Sequence, residues 1–271
     1  MNEIVATSYN PVLVLLSYGF AVLGSYIALN GVYKLRTFRE AHTSHRIEKI
    51  MGLPEQRTIV PSNRIYNATL LVSGVAFGGI GVWAMHFMGQ LALRMPVDVD
   101  YAIAETLLSL VAAIAAATWG LSMVARNPHS WLRLIAAGAM LGLGVSAMHY
   151  LGMYSMRFGG FFLWNWSLVA VSMLIAFVAA TAGLWLAFKT NTLLTRLLAA
   201  LVMGGAVCAM HYTGMAAADV VCTTAPLVAD QANAHIIGGL QLPVLLVGLM
   251  VSIGLAVTLD RMYAPHLRIR T

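Results

Sequence analysis

Charge is what this sequence has least of. Lys, Arg, Asp and Glu make up 10% of its 271 residues, where soluble domains carry about 25%. Hydrophobic residues make up 60% and the mean hydropathy is +0.80, which excludes a soluble globular domain. Cysteine is nearly missing as well. Cys208 and Cys222 are too few for a disulfide framework, and Cys208 reads as a small buried residue in an apolar stretch. Local signatures of catalysis are also lacking. There is no phosphate-binding glycine loop before a helix, no zinc-protease histidine pair and no nucleophile elbow, so no enzyme is expected. No basic segment precedes the first apolar run, which is too long for a signal-peptide core and reads as a retained span.

What is there instead is length of apolar chain. Seven stretches, near 11–33, 66–90, 101–125, 132–156, 164–188, 193–217 and 238–260, have the roughly 20 residues that a bilayer-spanning helix needs. The expected fold is all-α: a polytopic membrane protein of seven transmembrane helices, forming a single membrane-integral domain over 1–271. The longest polar stretch, 34–64, is expected as a cytoplasmic loop with one short helix, and no segment has the length of a separate soluble domain. Net charge is +6, but its placement speaks for topology rather than nucleic acid. Fourteen Lys and Arg fall in the first, third and fifth connections and after span seven, against Arg94 and Arg157 in the alternate ones. The positive-inside rule then puts the N-terminus outside and the C-terminus in the cytoplasm, with anionic lipid as a secondary partner.

Within the spans three octets recur: WAMHFMGQ at 83–90, SAMHYLGM at 146–153 and CAMHYTGM at 208–215. Their histidines, His86, His149 and His211, are 63 and 62 residues apart, an internal repeat. Spans two and three, four and five, and six and seven read as three two-helix copies, with span one as an extra N-terminal helix. Gly74 with Gly78, and Gly138 with Gly142, have the small-xxx-small spacing that lets membrane helices approach. Spans two, four and six are therefore expected to pack together, with the three histidines at one depth in the outer leaflet.

Residues i and i+4 share a helix face, so His149 with Met153 and His211 with Met215 can each present an imidazole and a thioether to one point. Met85, Met148 and Met210 are rotated about 100° from their histidines and point to a neighbouring helix or a second centre. Imidazole plus thioether is a soft donor set that favours copper. Gln90 stands where the first copy lacks its second methionine, which leaves His86 as a third ligand or an outer-shell group. Glu105, one turn into span three, is placed to accept a hydrogen bond from a ligating histidine, and Asp219 and His235 to guard an outer entrance. The plain alternatives are a hydrogen-bonded structural histidine and methionine as apolar filler. Against them stands the rarity of ionisable groups inside membranes. Tyr150, Tyr212 and Phe87 read equally as interfacial belt residues.

The octets resemble the motif of the MHYT domain family, whose tetrapeptide stands intact at Met210–Thr213. The first copy reads MHFM and the second MHYL. The resemblance extends over nearly the whole chain. It implies a seven-span bacterial inner-membrane sensor domain that binds copper through Met/His motifs near the outer face and responds to a diatomic gas (oxygen, carbon monoxide or nitric oxide). Family members are often joined to cytoplasmic diguanylate cyclase or phosphodiesterase modules. With only about ten residues after span seven, a sensor of this kind is expected to signal through a separate partner at the cytoplasmic face, or through loop 34–64. Two rival functions remain on the sequence: copper transport or metal handling, and a haem-binding membrane redox or assembly factor.

Overall fold

The structure is a computed structural model that describes residues 3–51, 62–95, 97–223 and 236–238, with Gly248 and Ser252. Among the described residues, six helices are long and apolar enough to span a membrane. They are α1 (Pro11–Met51), α2 (Asn63–Ala92), α3 (Ile103–Arg126), α4 (Trp131–Tyr154), α5 (Trp166–Lys189) and α6 (Leu193–Ala216). The expected seventh span, 238–260, lies outside the described residues. The polar stretch after Lys34 differs from expectation: α1 continues without a break to Met51, so the first part of that stretch is a helical extension of span one.

The helices that carry the octets, α2, α4 and α6, start alike. Ser62, Ser130 and Thr192 each cap the first turn, accepting from the amides of Ile65, Arg133 and Thr195, which satisfies donors that the helix itself leaves unpaired. These starts share one end of the bundle with Arg64, Arg126, Arg133, Lys189 and Arg196, here called the basic end.

At the opposite end, eight short strands join the helices. They are β1 (Glu3–Ile4), β2 (Ser8–Tyr9), β3 (Leu93–Arg94), β4 (Asp100–Ala102), β5 (Met156–Arg157), β6 (Gly160–Trp164), β7 (Ala218–Cys222) and β8 (Ile236–Gly238). Their pairing repeats three times. β2 before α1 pairs with β3 after α2, β4 before α3 with β5 after α4, and β6 before α5 with β7 after α6, all antiparallel. Three equivalent bonds repeat beside them, Asn10 N to Ala92 O, Ala102 N to Ser155 O and Asn165 N to Ala217 O, each 2.8 Å. The structural units are thus α1–α2, α3–α4 and α5–α6.

Among the described residues span one therefore takes part in the same strand pairing as spans three and five, where the expected grouping joined each octet helix to the span that follows it. α1 packs against both α2 and α6, α3 against α2 and α4, and α5 against α4 and α6. The six form a closed ring with approximate threefold symmetry, α1, α3 and α5 outside and the octet helices converging inside. Alternating spans give the same repeat length whichever neighbour is counted as the partner, so sequence spacing alone leaves the phase open. The glycine pairs also face elsewhere than expected. Gly74 abuts Thr118 and Gly78 abuts Ala113 on α3, while Gly138 abuts Thr181 and Gly142 abuts Phe177 on α5. They seat each octet helix against an outer helix, not against another octet helix.

One irregularity positions the first histidine. Residues Ala76–Ala84 of α2 form a π-helical segment directly before Met85. Eight positions separate Gly78 from His86, against seven from Gly142 to His149 and seven from Gly204 to His211. A π-bulge absorbs one residue without breaking the helix. It restores the phase of His86, so that all three octets meet on one axis.

Candidate metal centre

The three histidines converge as the spacing implied. His86 and His149 are 0% exposed and His211 1%. Their Nδ1 atoms form a triangle with sides of 3.1 Å (86 to 149), 3.1 Å (86 to 211) and 3.3 Å (149 to 211). The rings stand nearly perpendicular to one another, with centroids 4.9, 5.0 and 5.2 Å apart.

The glycine three residues after each histidine makes this possible. The Nε2 edge of His86 rests on Gly152 of α4, that of His149 on Gly214 of α6, and that of His211 on Gly89 of α2. Each ring thus occupies the space of a missing side chain on the next octet helix, in a closed cycle. Sequence reasoning passed over these glycines, although the same offset recurs in all three octets. The aromatic after each histidine supports the ring edge-on. His86–Phe87, His149–Tyr150 and His211–Tyr212 have centroids 4.9, 4.8 and 4.8 Å apart. The tyrosine hydroxyls both find partners on outer helices. Tyr150 Oη meets Ser172 Oγ of α5 at 2.5 Å and Tyr212 Oη meets Ser17 Oγ of α1 at 2.9 Å. In the first unit, where phenylalanine lacks the hydroxyl, Trp83 Nε1 donates to Ser109 Oγ of α3 at 3.0 Å. All three serines are fully buried.

The residues four after each histidine lie one turn nearer the strand end. Gln90 and Met153 touch there, with Gln90 Nε2 donating to Met153 Sδ at 3.4 Å; Met215, the third member of that set, is also buried. Met85, Met148 and Met210 are buried as well. Met210 faces a small cavity of about 40 Å³ on the basic side of the triad, lined by apolar side chains such as Leu29, Phe77, Leu141 and Ala180. The two acidic candidates lie away from the rings. Glu105 accepts from Arg157 Nη2 at 2.6 Å, a half-exposed ion pair at the strand end. Asp219 is exposed on β7, opposite Leu163. His235 lies outside the described residues.

Chemically the triad is a tripod of donors. A neutral imidazole carries one lone pair and one N–H, and three Nδ1 atoms aimed at one point cannot all be satisfied by each other: a proton held by one points at the centre, not along an edge. Burying such groups unsatisfied is costly. A single cation could take a lone pair from each of the three. In a triangle of these sides each nitrogen lies about 1.8 Å from the centre, so an ion just off the plane reaches all three at the usual metal–imidazole distance of about 2.0–2.1 Å. Among the described residues this is the one cluster of three or more His, Cys, Asp and Glu side chains with that closeness.

A ring of membrane-spanning helices around a buried histidine triad supplied by three repeats defines the class: a polytopic membrane protein built on a repeated Met-His motif. The chain belongs to the MHYT family. The repeat profile described as a bacterial signalling protein N terminal repeat matches residues 79–137 and 142–200. The chain is 36% identical over 220 residues to MucR of Pseudomonas aeruginosa, a bifunctional diguanylate cyclase/cyclic di-GMP phosphodiesterase, covering 79% of this chain and 28% of that protein. It is 39% identical over 145 residues to the cyclic di-GMP phosphodiesterase NbdA of the same organism, covering 51% of this chain and 18% of that one. To the signalling protein YkoW of Bacillus subtilis it is 27% identical over 218 residues, 78% of this chain and 24% of that one. It spans about a quarter of the length of these curated relatives. No solved structure matches it.

Proposed function

We propose that this chain is the sensory part of a bacterial inner-membrane signalling system, with a copper ion held by His86, His149 and His211 and a diatomic gas as the signal. The convergence of three buried Nδ1 atoms carries the reading. Copper is favoured over zinc by the buried methionines around the triad, Met85, Met148, Met153, Met210 and Met215, because thioethers suit Cu(I). When bound, copper supplies a site at which a small π-accepting gas can coordinate. The protein residues do the rest. Phe87, Tyr150 and Tyr212 hold the rings, Gly89, Gly152 and Gly214 admit them, and the apolar surroundings exclude water. With basic residues inside, the triad lies in the outer leaflet, the N-terminus outside and the C-terminal region in the cytoplasm.

Transmission follows from the ring. Each imidazole bridges its own helix to the next, so a change at the triad moves α2, α4 and α6 together. At the basic end Arg39 Nη1 donates to Ala125 O of α3 at 2.9 Å and Arg36 Nη1 to Asn191 Oδ1 after α5 at 2.8 Å. These bonds tie the outer helices to α1, whose extension runs on to Met51. Helix shifts of about 1–2 Å are a common means of signalling, and α1 is the element through which a cytoplasmic partner or output module would read them.

Two rivals fare less well. Copper transport needs successive ligands toward the basic end, whereas the cavity there is apolar with the sulfurs of Met203 and Met210 alone. Haem ligated by paired histidines needs their nitrogens on opposite faces of a porphyrin, and nitrogens 3.1–3.3 Å apart leave no room for that plate. Elemental analysis of purified protein loaded with Cu(I) or Zn(II) tests the reading. One copper per chain, lost in the H149A/H211A double variant, is expected; a zinc-only site or uptake unchanged in that variant would overturn it.

A further inference from the structure

A second polar feature lies at the basic end, far from the triad. There α1, the α3–α4 turn and the end of α5 enclose a cavity of about 460 Å³. Its walls carry Arg36 and Arg39 from α1, His129 from the turn and Lys189 from α5, against a single carboxylate, Glu40. No ion pair joins Glu40 to Arg36, Arg39 or Lys189, so the positive charge there is not compensated from within the walls. The two guanidinium groups are also fixed in place. Arg39 holds Ala125 O, and Arg36 holds Asn191 Oδ1 and, at 3.4 Å, Thr190 O. Cations suit the carbonyl end of a helix, and each fork has five N–H donors, so donors remain for a ligand.

The depth of the cavity narrows the ligand. α3 and α5 have 24 residues each, about 36 Å of helix, slightly more than a hydrocarbon core of about 30 Å. Their ends, and the cavity between them, therefore stand at headgroup level. Apolar surface adjoins it at that level. Trp185 lines the cavity and is 41% exposed, and Trp131 and Leu132 at the start of α4 are 67% and 79% exposed.

We propose that this cavity binds the phosphate group of an anionic phospholipid. Arg36, Arg39 and Lys189 face the phosphodiester, and Trp185 packs against the glycerol and the first acyl carbons. A zwitterionic headgroup would bring its own cation into a wall that is already positive, so anionic lipid is preferred. Since α1 forms one wall and the ends of α3 and α5 another, the lipid braces the junction through which α1 leaves the membrane. The inference stands apart from the metal at the triad.

Native mass spectrometry of the full chain released from nanodiscs tests it. One phosphatidylglycerol is expected to remain bound where phosphatidylcholine does not. K189Q and S44E alter exposed positions on the cavity wall without removing the arginine bonds. Each is expected to lower phosphatidylglycerol retention about fivefold while leaving the melting temperature unchanged. Equal retention of the two lipids, or wild-type retention in both variants, would overturn the proposal. Displacement of the lipid by millimolar inorganic phosphate or glycerol phosphate would assign the site to a soluble phosphate and overturn the lipid assignment.

Discussion

The His86 ring lies where a side chain of Gly152 would be. A methyl group on that glycine would fall 2.8 Å from His86 Cδ2 and closer still to Nε2. The ring cannot swing away, because the imidazoles of His149 and His211 flank it at centroid distances of 4.9 and 5.0 Å.

Gly152→Ala is therefore expected to destabilise the protein, although alanine is the better helix former by about 1 kcal/mol. Overpacking a tight core costs about 1–3 kcal/mol, and here the neighbour that must yield is a caged ring. Gly89→Ala and Gly214→Ala, which press on His211 and His149, are expected to behave alike. Gly205, beside which no described residue lies within 4 Å, is the control: Gly205→Ala should be neutral or stabilising. Thermal unfolding in detergent compares the four. Equal melting temperatures would refute the role of the octet glycines as ring seats.

The π-helical segment makes a sharper prediction. Without Gly79, residues 74–86 read GVAFGIGVWAMH, in register with GAMLGLGVSAMH at 138–149. Deleting Gly79 is expected to turn the segment α-helical and to keep His86 on the axis, with metal uptake and melting temperature near wild type. Deleting Gly144, at the same level of α4, removes a residue where none is spare and rotates His149 by about 100°. That variant should lose the triad. Equal loss in both deletions would mean that the extra residue serves something other than phase.

The tyrosine that follows the second and third histidines contributes through its hydroxyl. Tyr212 and Ser17 join α6 to α1 inside the bundle at 2.9 Å, and a buried hydrogen bond is worth about 0.5–1.5 kcal/mol. Tyr212→Phe should cost about that much, while Ser17→Ala on top of it should cost little more. The double-mutant cycle, read by unfolding, then gives a coupling close to the single cost. Additive losses would show that the two groups do not bond. Phe87 at the matching place in the first unit indicates that the ring itself, not the hydroxyl, is what the neighbouring histidine needs.

Much of the site was legible before the fold was known. Three histidines at near-equal spacing on apolar helices of one direction had to meet at one depth, and they do. Gln90 and Met153, each four residues after its histidine, are both buried and touch one turn nearer the strand end. What escaped notice was of two kinds. Some of it is local sequence, such as the glycine at the same offset in each octet and the surplus Gly79, whose roles only the packing reveals. The rest depends on long-range choices that spacing leaves free. Glu105 could be placed near the histidine level, but Arg157 on β5 of the same unit claims it through a 2.6 Å ion pair. The strands, of two to five residues each, have no periodicity long enough to read. The partner of α6 around the ring is a choice between spans one and seven that the repeat length cannot make.

That last choice is open to direct test. A Cβ at Gly204 of α6 would lie 3.3 Å from Val22 Cα on α1, close enough for a disulfide, whose Cβ atoms are about 3.5–4.5 Å apart. In a background with Cys208 and Cys222 replaced by alanine, V22C/G204C is expected to crosslink readily under mild oxidation. V22C/G205C, one residue and about 100° further round the helix, should crosslink poorly. The bond would leave a chain that migrates differently on denaturing gels and reverts on reduction. If only the second pair reacts, α1 does not present Val22 to α6, and the slot between α6 and α2 belongs to another helix. The threefold units would then run from each octet helix to the span that follows it, and the serine opposite Tyr212 would have to be sought there.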